Sequence, residues 1–268
     1  MAIGLIIIGD EVLSGKRVDK HFPKVVELLA ARGLQLAWAE CIGDDPARIT
    51  ATLKRTLATD DIVFSCGGIG ATPDDHTRGC AAAALGVPLV LAPQAKAMIE
   101  ERIAEVARET GQPLDLQSPD NLHRLKMGEF PQAASIIPNP FNKIPGFGIK
   151  REGGGMHYFV PGFPVMAWPM IEWVLDTQYA HLFNRVARLE KAVFVYESAE
   201  STLTPLMESI ESRFPGVKVF SLPNVGDAMT RRHIELGVKG EEQLAVTAFD
   251  ALVAGLDKLN VEYRSTDA

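Results

Sequence analysis

Apolar and polar residues alternate along the first part of the chain in blocks that predict a mixed α/β fold. Short β-branched runs predict strands at 3–8, 34–41 and 61–65. Amphipathic segments, with apolar residues three or four positions apart, predict helices at 18–31 and 46–58. The strand segments are almost continuously apolar, which is typical of strands buried on both faces. This order predicts a mostly parallel sheet with helices on both faces, a three-layer α/β/α arrangement.

The middle of the chain continues the pattern less regularly. Helical segments on either side of a short apolar run occupy 72–110. Residues 112–169 are rich in proline and glycine, which predicts irregular loops around two short strands at 134–137 and 157–160. A helical pattern returns at 165–184.

The last part of the chain changes pattern again, and we place a domain boundary at its start. The predicted elements are, in order, a strand at 187–196, a helix at 201–214, strands at 217–221 and 228–237, and a helix at 241–256. This order predicts a small α+β module in which two helices pack on an antiparallel sheet. We therefore predict two domains, residues 1–184 and residues 185–268.

Composition and charge narrow the classes of protein. The 268 residues are 47% apolar and 23% charged, which is typical of a globular chain rather than a disordered or fibrous one. With 27 basic and 34 acidic residues the net charge is −7, so a nucleic-acid backbone or an anionic membrane surface would repel the chain. We expect neither nucleic acid nor a membrane as a partner.

The sequence also favours a cytoplasmic location. Its 3 cysteines are an odd number and widely spaced, which suits a reduced compartment better than a disulfide framework. The apolar N-terminus has no basic segment before it and no cleavage signal, so we interpret it as a strand rather than a signal peptide. The long uncharged stretch at 153–171 contains Pro161, Pro164 and Pro169, so it does not predict a regular membrane helix.

The most informative segment is the glycine-rich turn CGGIGATPDDHT, which follows a predicted buried strand. Gly67, Gly68 and Gly70 would leave several backbone amides free, and amides in such a nest bind anions. The alternative is a helix start, with Thr72 as N-cap and Asp75 three positions later in a capping box. Capping accounts for Thr72 and Asp75 but not for three glycines, so we expect a phosphate-binding loop.

A second carboxylate-bearing turn, Asp44-Asp45-Pro46, follows the strand at 34–41. An Asp before a Pro at the first helical position is an ordinary N-cap, so capping can explain Asp45 on its own. Ligands of parallel sheets bind beyond the carboxyl ends of the strands, where both turns lie. A further hypothesis is therefore that Asp45 and Asp75 converge on one phosphate through a divalent metal ion such as Mg²⁺.

The turn after the first strand reads GDEVLSGKR. It does not fit a Walker-type phosphate loop, because five residues separate its glycines and Arg17 stands where Ser or Thr is required. We expect Asp10, Glu11 and Ser14, with Asp19 further on, to project above the sheet edge. There they could contact ligand hydroxyls or a metal ion.

These motifs resemble the MoaB/Mog molybdopterin-binding domain family, and most closely its CinA branch. The resemblance is carried by GDEVLSG at 9–15, GDD at 43–45, GGIG at 67–70, DDHT at 74–77, PGF at 145–147 and PGFP at 161–164. It spans roughly residues 3 to 180, and the part after 185 is more weakly similar to the small α+β module that follows in CinA proteins. We expect this chain to lack the deamidase domain of that branch, so the resemblance does not imply that activity.

The resemblance implies an α/β/α sandwich that forms homo-oligomers and binds a phosphate-bearing pterin or nucleotide, such as molybdopterin or an ADP-ribose-like molecule. Family members adenylylate molybdopterin or, in the CinA branch, cleave ADP-ribose-like pyrophosphates with a divalent metal ion. The implied catalytic and metal-binding residues are Asp45 and Asp75. The implied ligand-binding residues are Asp10, Glu11, Ser14, Gly15, Asp19, Gly67, Gly68, Gly70, Thr72, Asp74, Thr77, Pro145, Gly146, Pro161 and Gly162.

Several positions depart from the family pattern. His21 replaces an Asn, Ala71 a Pro and Met166 a Glu, and Asn142-Lys143 stands in a segment that usually reads Gly-Thr-Ala. Our first hypothesis is ligand binding with metal-assisted pyrophosphate hydrolysis. Two alternatives stay open: a ligand-binding or assembly protein without catalysis, and adenylyl transfer to molybdopterin.

Overall fold

The structure is a computed structural model that describes residues 2–151, 155–184, 187–227 and 230–266. The chain divides into two compact units, Met1–Phe183 and Asn184–Ala268. The first two residues of the strand predicted at 228–237 lie outside the described residues.

The first unit begins with alternating strands and helices. These are β1 (Ile3–Ile8), α1 (Asp10–Leu13), α2 (His21–Ala30), β2 (Trp38–Ile42), α3 (Pro46–Thr56), β3 (Ile62–Cys66), α4 (Thr77–Leu85), β4 (Leu89–Leu91) and α5 (Pro93–Thr110). It continues with α6 (Pro119–Leu125), β5 (Glu129–Pro131), β6 (Ser135–Ile137), β7 (Gly146–Lys150), β8 (Met156–Val160) and α7 (Pro164–Gln178), with 3-10 turns at Lys126–Gly128 and Ala180–Leu182.

Six of these strands form the central sheet, in the order β2-β1-β3-β8-β7-β6. Strands β2, β1, β3 and β8 are parallel, and β7 and β6 add an antiparallel edge. Helices α2 and α7 pack on one face, and α3, α4 and α5 pack on the other. The predicted three-layer α/β/α sandwich with a mostly parallel sheet is confirmed. Its parallel strands bring Ile8, Ile42, Cys66 and Val160 to one edge of the sheet.

The core explains why these segments form strands. Every residue of β1 and β3 is buried, as the near-continuous apolar sequences predict for central parallel strands. On the α3 side the rings of Phe130, Phe147 and Phe159 stack, with centroids 4.8 and 4.4 Å apart. Each fully buried side chain of this size contributes roughly 1.5–3 kcal/mol relative to an exposed one.

Several parts of the first unit differ from the sequence expectation. The strand predicted at 34–41 begins only at Trp38 and ends at Ile42. The helix predicted from residue 18 begins at His21, because the Asp19 carboxylate accepts hydrogen bonds from the N–H groups of His21 and Phe22, both at 2.9 Å. The proline- and glycine-rich segment is also more ordered than predicted, since it contains helix α6 and strand β7.

The second unit contains β9 (Arg188–Tyr196), α8 (Glu200–Arg213), β10 (Lys218–Asn224), β11 (His233–Glu241), α9 (Glu242–Leu259) and β12 (Tyr263–Ser265). Its sheet has the order β10-β11-β9-β12, and all neighbouring strands are antiparallel. Apolar side chains from the sheet and from both helices form its core. The predicted α+β module with an antiparallel sheet is confirmed, and β12 was not predicted. In neither unit do the described residues include a helix long and apolar enough to cross a bilayer.

Candidate functional site

Two cavities adjoin each other at the carboxyl edge of the central sheet. The glycine-loop cavity, of about 500 Å³, is lined by Ile8, Gly9, Glu11, Arg17, Asp44, Gly67, Gly68, Ile69, Gly70, Ala71, Thr72, Asp74, Asp75, Pro161, Gly162 and Phe163. The α1–α2 cavity, of about 440 Å³, is lined by Ile7, Ile8, Glu11, Val12, Arg17, Val18, Asp19, Lys20, His21, Cys66, Gly162 and Pro164. Because they share Ile8, Glu11, Arg17 and Gly162, we call the two together the cleft.

The glycine loop follows β3 and is shaped by close backbone contacts. Gly67 and Gly68 have φ angles of +114° and +67°, in the region that favours glycine. A Cβ on Gly67 would lie 2.1 Å from the carbonyl oxygen of Ile8, and one on Gly68 would lie 2.2 Å from Oγ1 of Thr77. The Thr77 hydroxyl donates to the Gly67 carbonyl at 3.1 Å. Packing and backbone conformation therefore require glycine at these two positions, whether or not a ligand binds.

The same loop presents a row of backbone donors to the cavity. Among the described residues, none accepts a hydrogen bond from the N–H groups of Gly68, Ile69, Gly70 or Ala71. All four residues line the glycine-loop cavity. Successive N–H groups of this kind form an anion-binding nest, since each carries partial positive charge.

The capping-box hypothesis for Thr72 and Asp75 is wrong. Helix α4 begins at Thr77, so Thr72 does not cap it. Instead the Asp75 carboxylate accepts hydrogen bonds from the Thr72 N–H, at 2.8 Å, and from the Thr72 hydroxyl. This bond pair closes the turn at 72–75, and both side chains line the glycine-loop cavity.

The loops after β1 and β2 are joined by a reciprocal pair of hydrogen bonds. The Asp10 N–H donates to the Asp44 carboxylate at 2.8 Å, and the Asp44 N–H donates to the Asp10 carboxylate at 3.2 Å. Burial raises the pKa of Asp44, and the nearby carboxylates of Asp10, Glu11 and Asp74 add to the rise. The acidic residues at this edge therefore repel one another. Asp10 and Asp44 hold the loops after β1 and β2 together.

The structure does not bring the predicted pair Asp45 and Asp75 together at the cleft. Asp45 is exposed and caps α3, with its carboxylate accepting the Arg48 N–H at 2.7 Å. The neighbouring Asp44 lines the glycine-loop cavity instead. Within the described ranges, no three His, Cys, Asp or Glu side chains are grouped so that they could hold a metal ion. Asp45 therefore does not lie at the cleft, where it would have to hold a metal ion together with Asp75.

His21 connects helix α2 to the loop after β8. Its ring is 5% exposed, and Nε2 donates to the Gly162 carbonyl at 2.9 Å. The other ring nitrogen, Nδ1, has no hydrogen-bond partner among the described residues. Asp19 holds the start of the same helix, so the polar side of the α1–α2 cavity is fixed by side-chain to backbone bonds.

The other predicted ligand residues divide into three groups. Those that line the cleft are Glu11, Asp19, Gly67, Gly68, Gly70, Thr72, Asp74, Asp75, Pro161 and Gly162. Asp10 and Ser14 line a neighbouring open depression. Gly15, Asp45, Thr77, Pro145 and Gly146 line neither cavity, and Thr77, Pro145 and Gly146 are buried in the fold.

The residues that depart from the family pattern fall into two groups, those that line the cleft and those that do not. His21 and Ala71 line the cleft, whereas Asn142, Lys143 and Met166 do not. Lys143 forms ion pairs with Glu101 and Glu105 of α5, and Asn142 accepts the Ile144 N–H at 3.0 Å. The charged residues of the cleft that sequence reasoning missed are Arg17, Lys20 and Asp44. For Asp44 the signal was present, because it adjoins Asp45 after β2.

The fold and the cleft define an α/β/α sandwich protein with a candidate ligand site at the carboxyl edge of a mostly parallel sheet. Residues 4–181 match the family model described as "Probable molybdopterin binding domain", and the chain belongs to this family. The crystal structure of the protein CinA from Thermoplasma acidophilum, described there as of unknown function, matches with a TM-score of 0.55 and 26% identity. That match covers 66% of this chain and 98% of that one.

Curated relatives carry the description "CinA-like protein". One from Anaeromyxobacter sp. (strain Fw109-5) is 32% identical over 251 residues, which cover 89% of this chain and 58% of that protein. One from Anaeromyxobacter dehalogenans (strain 2CP-1) is 34% identical over 211 residues, covering 78% of this chain and 49% of that protein. The chain thus spans about half of the length of these relatives.

Proposed function

We propose that this chain binds a phosphate-bearing pterin or nucleotide in the cleft, with the phosphate at the glycine loop. The observation that carries the proposal is the row of four backbone N–H groups, from Gly68 to Ala71, that have no acceptor among the described residues. Buried or half-buried donors without partners are costly, and a phosphate oxygen supplies the missing acceptors. The family's description as a probable molybdopterin-binding domain supports a pterin or a related ligand.

The α1–α2 cavity suits the heterocyclic part of such a ligand. Its floor is formed by Ile7 and Ile8 at the end of β1, and Val12 and Pro164 contribute further apolar surface. Ligand sites are commonly apolar clefts of 300–1,000 Å³ with a few polar groups that fix orientation. A ring in this cavity and a phosphate at the glycine loop would occupy both parts of the cleft.

We expect ADP-ribose and FAD to raise the melting temperature of the protein. A ligand at one hundred times its dissociation constant stabilises the folded state by about 2.7 kcal/mol. Thermal unfolding with each ligand measures the effect, and adenosine, which lacks phosphate, is the matched control and should give a smaller shift. Melting temperatures that stay flat across ADP-ribose, FAD and inorganic pyrophosphate would refute the proposal.

Cleavage of a pyrophosphate bond is a second proposed function, and Glu11 is the residue that favours it. Its side chain lines both cavities and makes no hydrogen bond or ion pair to the rest of the described chain. Such a carboxylate can accept a proton from a water molecule that attacks phosphorus, while the bond from phosphorus to the leaving phosphate breaks.

We expect ADP-ribose incubated with the protein to release AMP, and Glu11→Gln to release it at least 100-fold more slowly, because general-base catalysis contributes 10²–10⁴-fold. Chromatography of the nucleotides measures both rates. The Glu11→Gln protein should still show the ligand-dependent melting shift. Binding without AMP release from the unsubstituted protein would favour the alternative of a ligand-binding protein without catalysis.

A further inference from the structure

Arg17 lies where the two cavities of the cleft meet. Its side chain is exposed and lines both cavities. It makes no ion pair or side-chain hydrogen bond to any residue that the structure describes. Among the described residues that line the glycine-loop cavity, it is the only one with a positively charged side chain. An unpaired cation at this position is available to a ligand.

The charges around the glycine-loop cavity favour phosphate binding with the help of a cation. Four carboxylates line it, those of Glu11, Asp44, Asp74 and Asp75. At neutral pH these negative charges oppose an incoming phosphate at short range. Backbone N–H groups contribute only partial charges, so a full positive charge that offsets the carboxylates would come from a side chain or a bound metal ion.

Two of the four carboxylates that line this cavity, Asp44 and Asp75, are engaged in holding loops. Asp44 accepts the Asp10 N–H, and Asp75 accepts the Thr72 N–H and hydroxyl. No group of three metal-ligating side chains occurs in the described part of the chain. The guanidinium of Arg17, in contrast, has all its side-chain donors free, and its planar fork can bind two oxygens of one phosphate.

We propose that Arg17 anchors the phosphate of the ligand and that binding at this cleft does not require a divalent metal ion. The proposal rests on the proposed function, because it concerns a ligand of the same cleft. It also defines the substrate class more narrowly. The preferred ligands carry a phosphate or diphosphate ester within reach of both the glycine loop and Arg17, and the analogue without phosphate loses the contribution of Arg17.

Calorimetric titration of ADP-ribose and of adenosine, in buffer with EDTA, tests the proposal. We expect the unsubstituted protein to bind ADP-ribose in EDTA and Arg17→Ala to bind it at least 10-fold more weakly. Arg17→Lys should lie between the two, because lysine keeps the charge but not the fork. Lys16→Ala is the matched control, since Lys16 is an exposed neighbouring cation that lines neither cavity of the cleft. Its affinity should stay within twofold.

The adenosine titration separates an electrostatic role from a structural one. If Arg17 acts on the phosphate, Arg17→Ala leaves adenosine affinity within twofold, whereas a distorted cleft would weaken both ligands. Equal ADP-ribose affinity for Arg17→Ala and the unsubstituted protein overturns the assignment while the proposed function stands. Binding that is lost in EDTA and restored by Mg²⁺ overturns the metal-independent part. If the protein binds neither ADP-ribose nor inorganic pyrophosphate with or without Mg²⁺, the proposed function fails as well.

Discussion

Replacing Gly67 by alanine is expected to destabilise the first unit by roughly 3 kcal/mol. A Cβ at this φ of +114° is strained, and it would lie 2.1 Å from the carbonyl oxygen of Ile8. That oxygen belongs to the backbone of β1, whose Ile7 pairs with Cys66 of β3. Neither backbone can move aside without weakening the pairing of two central strands, so the cost cannot be relieved by a side-chain rotation.

Denaturant unfolding followed by tryptophan fluorescence measures this effect. The three tryptophans, Trp38, Trp168 and Trp173, all lie in the first unit, so the signal reports that unit. Gly79→Ala is the matched control, because Gly79 lies in α4 with nothing within 4 Å of the added Cβ. Alanine there should stabilise the helix by about 0.5–1 kcal/mol. Two variants with equal unfolding midpoints would contradict the described loop.

The second large effect is a loss of stability in mild acid that arises from His157. This residue of β8 is 1% exposed, and neither ring nitrogen has a hydrogen-bond partner among the described residues. Burial lowers the pKa of His157 to about 3, from an ordinary value of 6.5. Asp61 and Arg151 line the same small cavity as the ring, and both are engaged elsewhere, Asp61 with the Trp38 indole and Arg151 with the Leu57 carbonyl.

Acid destabilises the folded state because the unfolded chain binds a proton on His157 at a higher pH than the folded chain does. Below about pH 6.5 the unfolded chain takes up a proton on this histidine and the folded chain does not, until the pH approaches 3. Between about pH 6.5 and pH 3, the free energy of unfolding therefore falls by up to about 1.4 kcal/mol for each unit by which the pH is lowered. Above this range His157 has no such effect on stability. Unfolding at a series of pH values, followed by tryptophan fluorescence, measures the slope.

His157→Met removes the titrating group with a side chain of similar volume. Other acidic groups also shape the pH dependence, so the informative quantity is the difference in slope between this variant and the unsubstituted protein. We expect the variant to take up one proton fewer on unfolding between pH 6 and 4. Equal slopes for His157→Met and the unsubstituted protein would show that the histidine is not buried in its neutral form.

Much of the fold could be predicted because the apolar sequences of the central strands show directly which residues are buried. Strands β1 and β3 are buried along their whole length, and their apolar sequences indicate this. Strand β7 could not be predicted in the same way, because two of its five residues, Gly146 and Gly148, are glycines that allow close approach to β8 and β6. Helix α6 was missed because it is short and has no buried residue.

The candidate site was predicted less completely because neighbouring residues of one type can have different roles. Asp44 and Asp45 are adjacent and chemically identical, yet one reaches the cleft and the other caps α3. The sequence favours Asp45 as the cap because it precedes Pro46, but it does not show that the neighbouring Asp44 reaches the cleft. Arg17 was missed for another reason, since its sequence context indicated only that a Walker-type loop is absent. Its position between two cavities follows from the packing of α1 against the sheet edge.

The segment between α1 and α2 has a consequence for how such a cleft can change over evolutionary time. Arg17, Val18, Asp19 and Lys20 form one wall of the α1–α2 cavity without contributing a strand to the sheet. Val18 is 85% exposed, so its replacement costs the core almost nothing. Substitution at Val18 can therefore alter this wall at little cost to the sandwich, whereas Asp19 is constrained because it also holds the start of α2.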